Sequence, residues 1–259
     1  MAFAEVNGRR IYYVDSGGDG PAVLFSHGFS LDHTMFDAQV EALSGRYRCI
    51  TWDARGHGMT HCKGDFTMWD SARDCIGLLD ALGIETAVLV GLSQGGFASM
   101  RAAMIEPARV RALVLMDTAA RGFDAATRAG YQAMRDTWVT EGPVGETSAV
   151  MATLMFGPDH DASIWIARWR ARPPEDWEGG WSPLLDRDDV FARLGEIGCP
   201  TLVIHGDADR AFDVGVAREM AEAIPDARLE IIAGGPHVPT VTHAPAVNLV
   251  LGRFLDQHA

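Results

Sequence analysis

Short apolar runs bounded by turn residues alternate along this chain with stretches whose apolar positions recur at helical spacing. Residues 3–6 and 10–14 flank Asn7-Gly8, a dipeptide that favours a hairpin turn. Residues 22–26 (AVLFS), 48–52, 86–91 (TAVLVG), 110–116 and 200–205 (PTLVIH) are near-continuous apolar runs, as expected of strands covered on both faces. Residues 228–232 read as the last strand. Met35, Phe36, Val40 and Leu43 share one helical face. Further helices are predicted over 66–82, stopped by Gly83, over 97–105, ending before Pro107, and over 214–224 and 245–257. Strands alternating with helices imply an α/β fold: a mostly parallel, eight-stranded sheet with helices on both faces.

The rhythm breaks between about residues 119 and 189. No strand of similar quality occurs there, and helical patterns fall at 125–139, 146–156 and 163–170. Of the 7 tryptophans in the chain, Trp138, Trp165, Trp169, Trp177 and Trp181 lie in this stretch. The chain therefore divides into a core of residues 1–118 and 190–259 and a helical insertion over 119–189.

Its 259 residues are enough to bury a substantial core in one α/β domain. The net charge of −13 disfavours phosphate backbones and anionic lipid, so no nucleic-acid or membrane partner is expected. The N-terminus lacks a basic start followed by an apolar run, and no apolar stretch approaches transmembrane length. Cys49, Cys62, Cys75 and Cys199 form no C-x-x-C pair, and their spacing suggests neither a disulfide framework nor a zinc site. A cytoplasmic protein with reduced thiols and no metal or cofactor is the expectation.

Gly91-Leu92-Ser93-Gln94-Gly95 is a G-x-S-x-G pattern. Its weight comes from its setting, after an apolar strand and at the opening of a helical run. A serine there must make a very sharp turn, and glycines two before and two after it remove clashing Cβ atoms. A serine hydroxyl needs an adjacent base at neutral pH. His237, His243 and His258 all follow the last strand. His237 is the candidate, because its loop (Ala233-Gly234-Gly235-Pro236) can carry a side chain back over the sheet edge, whereas His243 opens the last helix and His258 ends the chain. Asp207, Asp209 and Asp213 lie past the strand PTLVIH; Asp209, clear of the strand end, is preferred as orienting acid, with Asp117 at the end of VRALVLM as competitor. Oxyanion donors are expected from the backbone N–H groups of Gln94 and Phe29, and His27 is expected to hydrogen-bond beneath the latter's loop.

Together SHGF, WDARGHG, GLSQGG, PTLVIHGDAD and GGPHVP resemble the α/β-hydrolase family, in its order and spacing and over nearly the whole chain. The resemblance implies that Asp53, Arg55 and His57 are architectural, that Asp209 is the family's acid and His237 its base, and that 119–189 is a helical cap over Ser93. Trp138 and Trp165 are then candidates to line a substrate pocket, whereas most of the tryptophans are expected simply to hold the cap to the core. Many relatives have Met after the nucleophile where this chain has Gln94, which leaves the N–H in place. A serine nucleophile argues against dehalogenase and epoxide hydrolase chemistry and implies a small ester or lactone as substrate. Thioesterases, amidases, carbon–carbon bond hydrolases and cofactor-free perhydrolases remain open, as does a slow-turnover ligand receptor of the same fold. RALVLMDTAAR is similar to enol-lactone hydrolases of aromatic degradation, and Arg168, Arg170 and Arg172 could greet an anionic lactone or simply be solvated.

Overall fold

Asn7 and Gly8 both adopt positive φ (50° and 71°), the mirror-image turn whose twist suits a hairpin, and join β1 (Ala2–Val6) to β2 (Arg9–Asp15). The structure is a computed structural model that describes residues 2–62 and 64–259. β2 pairs antiparallel with β4 (Arg48–Trp52), and the remaining strands run parallel to one another: β3 (Ala22–Ser26), β5 (Ala87–Leu92), β6 (Val110–Met116), β7 (Thr201–Gly206) and β8 (Ala227–Ile232). The strand order of the 8-stranded sheet is β1-β2-β4-β3-β5-β6-β7-β8. β5 lies between β3 and β6 and every residue in it is buried, so Ser93, directly after it, emerges at the middle of the sheet's edge.

Helices connect the strands: α1 (Asp37–Leu43), α2 (Met68–Ala81) and α3 (Gln94–Ile105) before β6, then α4 (Ala125–Glu141), α5 (Gly145–Phe156), α6 (Ser163–Ala171) and α7 (Glu178–Leu185) before β7. α8 (Val214–Ala223) links β7 to β8, and α9 (Pro239–Thr242) and α10 (Ala244–His258) close the chain. Thr67 and Asp70 form a reciprocal capping box at the start of α2, satisfying donors that a helix end leaves open. No described helix is long and apolar enough to cross a membrane.

The eight strands and the parallel order match the sequence expectation, with ends displaced by a residue or so. Besides the short α9, for which there was no sequence expectation, two helical features differ. α3 starts at Gln94 rather than 97, because Gly95 and Gly96 sit in its first turn despite their poor helix propensity. α7 has no sequence signal, since Gly179, Gly180 and Pro183 all disfavour a helix; burial of Trp181, Leu184 and Leu185 overrides propensity there.

The four helices between β6 and β7 pack on the loops at the strand ends. Trp169 Nε1 donates to the Ser30 carbonyl at 2.8 Å, and the Val238 N–H donates to Met155 O at 2.8 Å. At the base of the segment the buried Arg101 of α3 donates to the carboxylate and the carbonyl of Asp188, both at 2.7 Å. The segment is thereby tied to the loop after β3, the loop after β8 and helix α3.

Candidate active site

Ser93 stands at φ 50°, ψ −113°, a conformation costly for any residue with a Cβ. Its neighbours show how it is held. The Ser93 N–H donates to Met116 O at 2.9 Å, and its carbonyl accepts from Thr118 Oγ1 at 2.7 Å. A Cβ on Gly91 would lie 2.3 Å from Gly95 O, and one on Gly95 would lie 1.9 Å from Ser26 O. The G-x-S-x-G spacing is thus a steric requirement: β3, β5 and α3 approach too closely for side chains at either glycine. Thr118 was not foreseen from the sequence; only its place directly after β6, beside the turn, could have suggested it.

His237 and Ser93 line the same cavity, together with Phe29. His237 Nδ1 lies 2.9 Å from Asp209 Oδ2, and the Asp209 side chain is wholly buried. Burial pushes the Asp209 carboxyl up, but attraction to His237, the hydrogen bond from His237 and the Ala211 N–H together hold it below the ordinary value. An ionised carboxylate only accepts, so Nδ1 carries a hydrogen, which in the neutral imidazole leaves the lone pair on Nε2. The other two aspartates after β7 are committed elsewhere: Asp207 accepts from the Gly234 N–H at 2.6 Å, and Asp213 caps α8 through the Gly215 N–H at 2.7 Å.

Asp117 does not reach His237. Its Oδ1 accepts from the Gly206 N–H at 2.8 Å and its Oδ2 has no partner. Complete burial, with repulsion from Asp209, drives its carboxyl well above the usual range, against the pull of the Gly206 N–H. His205, between the two acids, donates from Nε2 to the Phe212 carbonyl at 3.0 Å, and burial keeps it neutral. Asp117, His205 and Asp209 bring three ligand-type atoms within 4.8 Å of one another, but the His205 Nε2 hydrogen is already spent on Phe212 and Asp209 on His237.

Gln94 is the first residue of α3, where the helix leaves an N–H without an internal acceptor. Gly28 brings the neighbouring loop against the turn: a Cβ on it would sit 3.0 Å from Leu92 and 3.6 Å from the Ser93 Cβ. His27 secures that loop from below, with Nδ1 2.7 Å from Gly28 O and Nε2 accepting from the Ala54 N–H at 3.0 Å. Asp53 accepts from the His33 and Met59 N–H groups at 2.8 Å each, and Arg55 pairs with the buried Asp74, so these residues brace the chain away from Ser93. His57 Nδ1 donates to the Arg55 carbonyl at 3.0 Å, and the ring packs edge-on against Phe29.

The cavity at Ser93 is apolar and small, about 30 Å³, with Phe123, Tyr131, Met151, Leu154, Met155, Leu184 and Phe212 around it. That is room for one water, so an acyl group must displace side chains; the two methionines are the most adaptable. Trp138 and Trp165 do not line it, contrary to the sequence expectation. Trp138 is fully buried among Phe29, Trp169, Trp177 and Trp181, and Trp165 stacks on Phe156 and borders a separate cavity near Asp32 and Arg168. The tryptophans of the insertion serve its packing, while Phe123, Tyr131 and the aliphatic and methionine side chains of the same segment reach the serine cavity. The three arginines singled out in α6 and after it are also engaged: Arg168 with Asp32, Arg170 with Ser148 Oγ, and Arg172 with the Asp176 carbonyl.

A sheet of this order with a strained serine after β5 defines an α/β hydrolase, and the profile of the α/β hydrolase fold matches residues 21–244; the chain belongs to this family. It is 29% identical over 220 residues to 3-oxoadipate enol-lactonase 1 of Acinetobacter baylyi, covering 83% of this chain and 81% of that one. It is 32% identical over 271 residues to a Synechocystis sp. chain provisionally named a non-heme chloroperoxidase, covering 95% of each. The crystal structure of the enol-lactonase from Burkholderia xenovorans LB400 superposes with a TM-score of 0.89 at 27% identity, covering 98% of this chain and 100% of that one.

Gly95→Ala is expected to lose about 3 kcal/mol or more in urea denaturation, because the new methyl meets backbone rather than a movable side chain. Gly130→Ala, in the exposed interior of α4 with open space around it, should gain about 0.5–1 kcal/mol. Equal effects would mean that the turn at Ser93 is not sterically determined.

Asp117→Asn tests the protonation of the buried acid. Above about pH 4 the unfolded carboxyl ionises while the folded one keeps its proton, so the wild type loses stability as pH rises toward the folded value. The amide cannot ionise. Urea midpoints should therefore move in favour of Asp117→Asn between pH 5 and pH 8; a shift the other way would show that Asp117 is ionised in the folded protein.

Proposed function

We propose that this hydrolase cleaves a carboxylic ester or lactone through an acyl-enzyme, with Ser93 as nucleophile, His237 as general base and Asp209 as the acid that orients it. The observation that carries this reading is the pairing of His237 with buried Asp209 at 2.9 Å, in the cavity that Ser93 lines from its strained turn. The residues of 119–189 act as a cap that closes over the serine and shapes the acyl site.

In this scheme the Nε2 lone pair of His237 takes the Ser93 proton as Oγ attacks the carbonyl carbon. The tetrahedral oxyanion is met by the N–H groups of Gln94 and Phe29, donors of a kind worth about 3 kcal/mol each. Asp209 stabilises the imidazolium that forms. Collapse breaks the carbon–oxygen bond, and the leaving oxygen receives the proton from His237. In a lactone the released hydroxyl stays tethered to the acyl group. Water, activated by the same imidazole, then attacks the acyl carbon and frees Ser93. The enol-lactonase names of the Acinetobacter and Burkholderia relatives support the lactone form. The name of the Synechocystis relative supports a second reading, in which hydrogen peroxide rather than water intercepts the same acyl-enzyme to give a peracid.

Turnover of 4-nitrophenyl acetate tests the reading and separates an enzyme from a slow receptor. The wild type should release 4-nitrophenol steadily, Ser93→Ala should not, and Asp209→Asn should lose about 10⁴-fold in kcat because the imidazole takes the wrong tautomer. Asp117→Asn should stay within about tenfold of wild type, since its carboxyl already carries a proton. A large loss in Asp117→Asn with little in Asp209→Asn would reverse the assignment of the acid.

A further inference from the structure

Beside the serine cavity lies a second one of about 230 Å³, and Phe123, Ala211 and Phe212 border both. Arg187 lines this second cavity and is nearly buried, at 7% exposure. Its guanidinium is sandwiched between two rings, 4.4 Å from the centre of Phe97 and 3.7 Å from that of Phe123. Nη1 donates to the Leu184 carbonyl at 2.9 Å, and Nε has no acceptor. Among the described residues no carboxylate pairs with it.

That is an unusual condition for a buried arginine. An uncompensated buried charge is costly, and proteins ordinarily supply a partner. Arg101, a neighbour whose like charge opposes that of Arg187, has one in Asp188. Burial, with the repulsion of Arg101, lowers Arg187 to about 10, so it still carries its charge at neutral pH. The acids around the same cavity are exposed and already committed: Asp124 caps α4 through Thr127, Asp213 caps α8, and Glu219 faces Arg121.

We infer that Arg187 is a substrate-recognition residue: it binds a carboxylate carried by the substrate a few bonds from the scissile carbonyl, while that carbonyl sits at Ser93. The serine cavity and the cavity that Arg187 lines adjoin at Phe123, Ala211 and Phe212, and the Arg187 Nε hydrogen has no acceptor. Arginine meets a carboxylate through a planar fork of N–H donors, which fixes orientation as well as charge. The substrate class is then a monoanionic ester or lactone derived from a dicarboxylic acid or a hydroxy acid. This deepens the acyl-enzyme reading and rests on it for the position of the scissile bond.

The test compares 4-nitrophenyl hemiesters of glutarate, adipate and pimelate with the neutral methyl-capped diesters, and acetyl esters of ω-hydroxy acids with their methyl-capped forms. Between them the carboxylate is presented on the acyl and on the alcohol side. In the wild type kcat/KM should favour the carboxylate form in at least one series, and Arg187→Met should reduce that ratio about 10- to 100-fold. A ratio unchanged in every series, whether both forms fall together or neither falls, would assign Arg187 to packing between Phe97 and Phe123 and overturn the inference. A second arm depends neither on turnover nor on that variant folding. Calorimetric titration of Ser93→Ala with adipate and with dimethyl adipate should show at least tenfold tighter binding of the dianion. Equal binding of the two, or no binding of adipate, would overturn the inference. If the wild type hydrolyses neither form, the acyl-enzyme reading fails, and the same titration repeated with Arg187→Met and with Arg121→Met in the Ser93→Ala background decides whether Arg187 binds carboxylates: the preference for adipate should be lost with the former and kept with the latter.

Discussion

Two carbonyl oxygens and two missing side chains set the geometry at Ser93. Ser26 O at the end of β3 and Gly95 O in the first turn of α3 leave no room for a Cβ at positions 95 and 91, respectively. The chain can leave β5 and enter α3 without a connecting loop only because positions 91 and 95 carry no side chain, and Ser93 absorbs the mismatch in a left-handed conformation. Thr118 and Met116 then hold its carbonyl and N–H from β6 and the residues after it. The strain is therefore distributed over three neighbouring strands. A serine whose backbone is held on both sides above the middle of a sheet is the form of preorganisation that acyl transfer requires.

Electrostatics at the same edge depends on separating two acids that lie close together. Asp117 and Asp209 end adjacent segments of the fold, and both are withdrawn from solvent. Two ionised carboxylates in that space would repel one another strongly. The hydrogen bond from His237 and the N–H of Ala211 decide which one keeps its charge, and the other carries its proton with only Gly206 to donate to it. His205 between them is neutral and fixed by Phe212. The single negative charge is thereby concentrated where it orients an imidazole, and a net −13 spread over the surface has little bearing on it.

Much of this was legible in the residues. Apolar runs such as TAVLVG and PTLVIH could be buried only as strands, and turn glycines fixed where they stopped. The turn at Ser93 was legible because sterics restrict its sequence. Other features depend on partners distant in the chain. Arg187 sits among charged neighbours (DRDD), where nothing in the sequence signals burial; the stacking of Phe97 and Phe123 on its two faces withdraws it. Trp138 and Trp165 read as pocket walls because they are large and apolar, yet ring-on-ring packing turns them into the interior of the insertion. The choice between Asp209 and Asp117 could not be settled by spacing, since it rests on which carboxylate a single imidazole nitrogen meets.

The central claim is that Ser93 is the nucleophile, and a fluorophosphonate probe tests it most directly, because the probe reacts only with a hydroxyl activated in place. Intact mass should rise by one label per chain, and peptide mass spectrometry should put that label on Ser93, with none on Ser93→Ala. A label on another residue, or equal labelling of Ser93→Ala, would contradict the account.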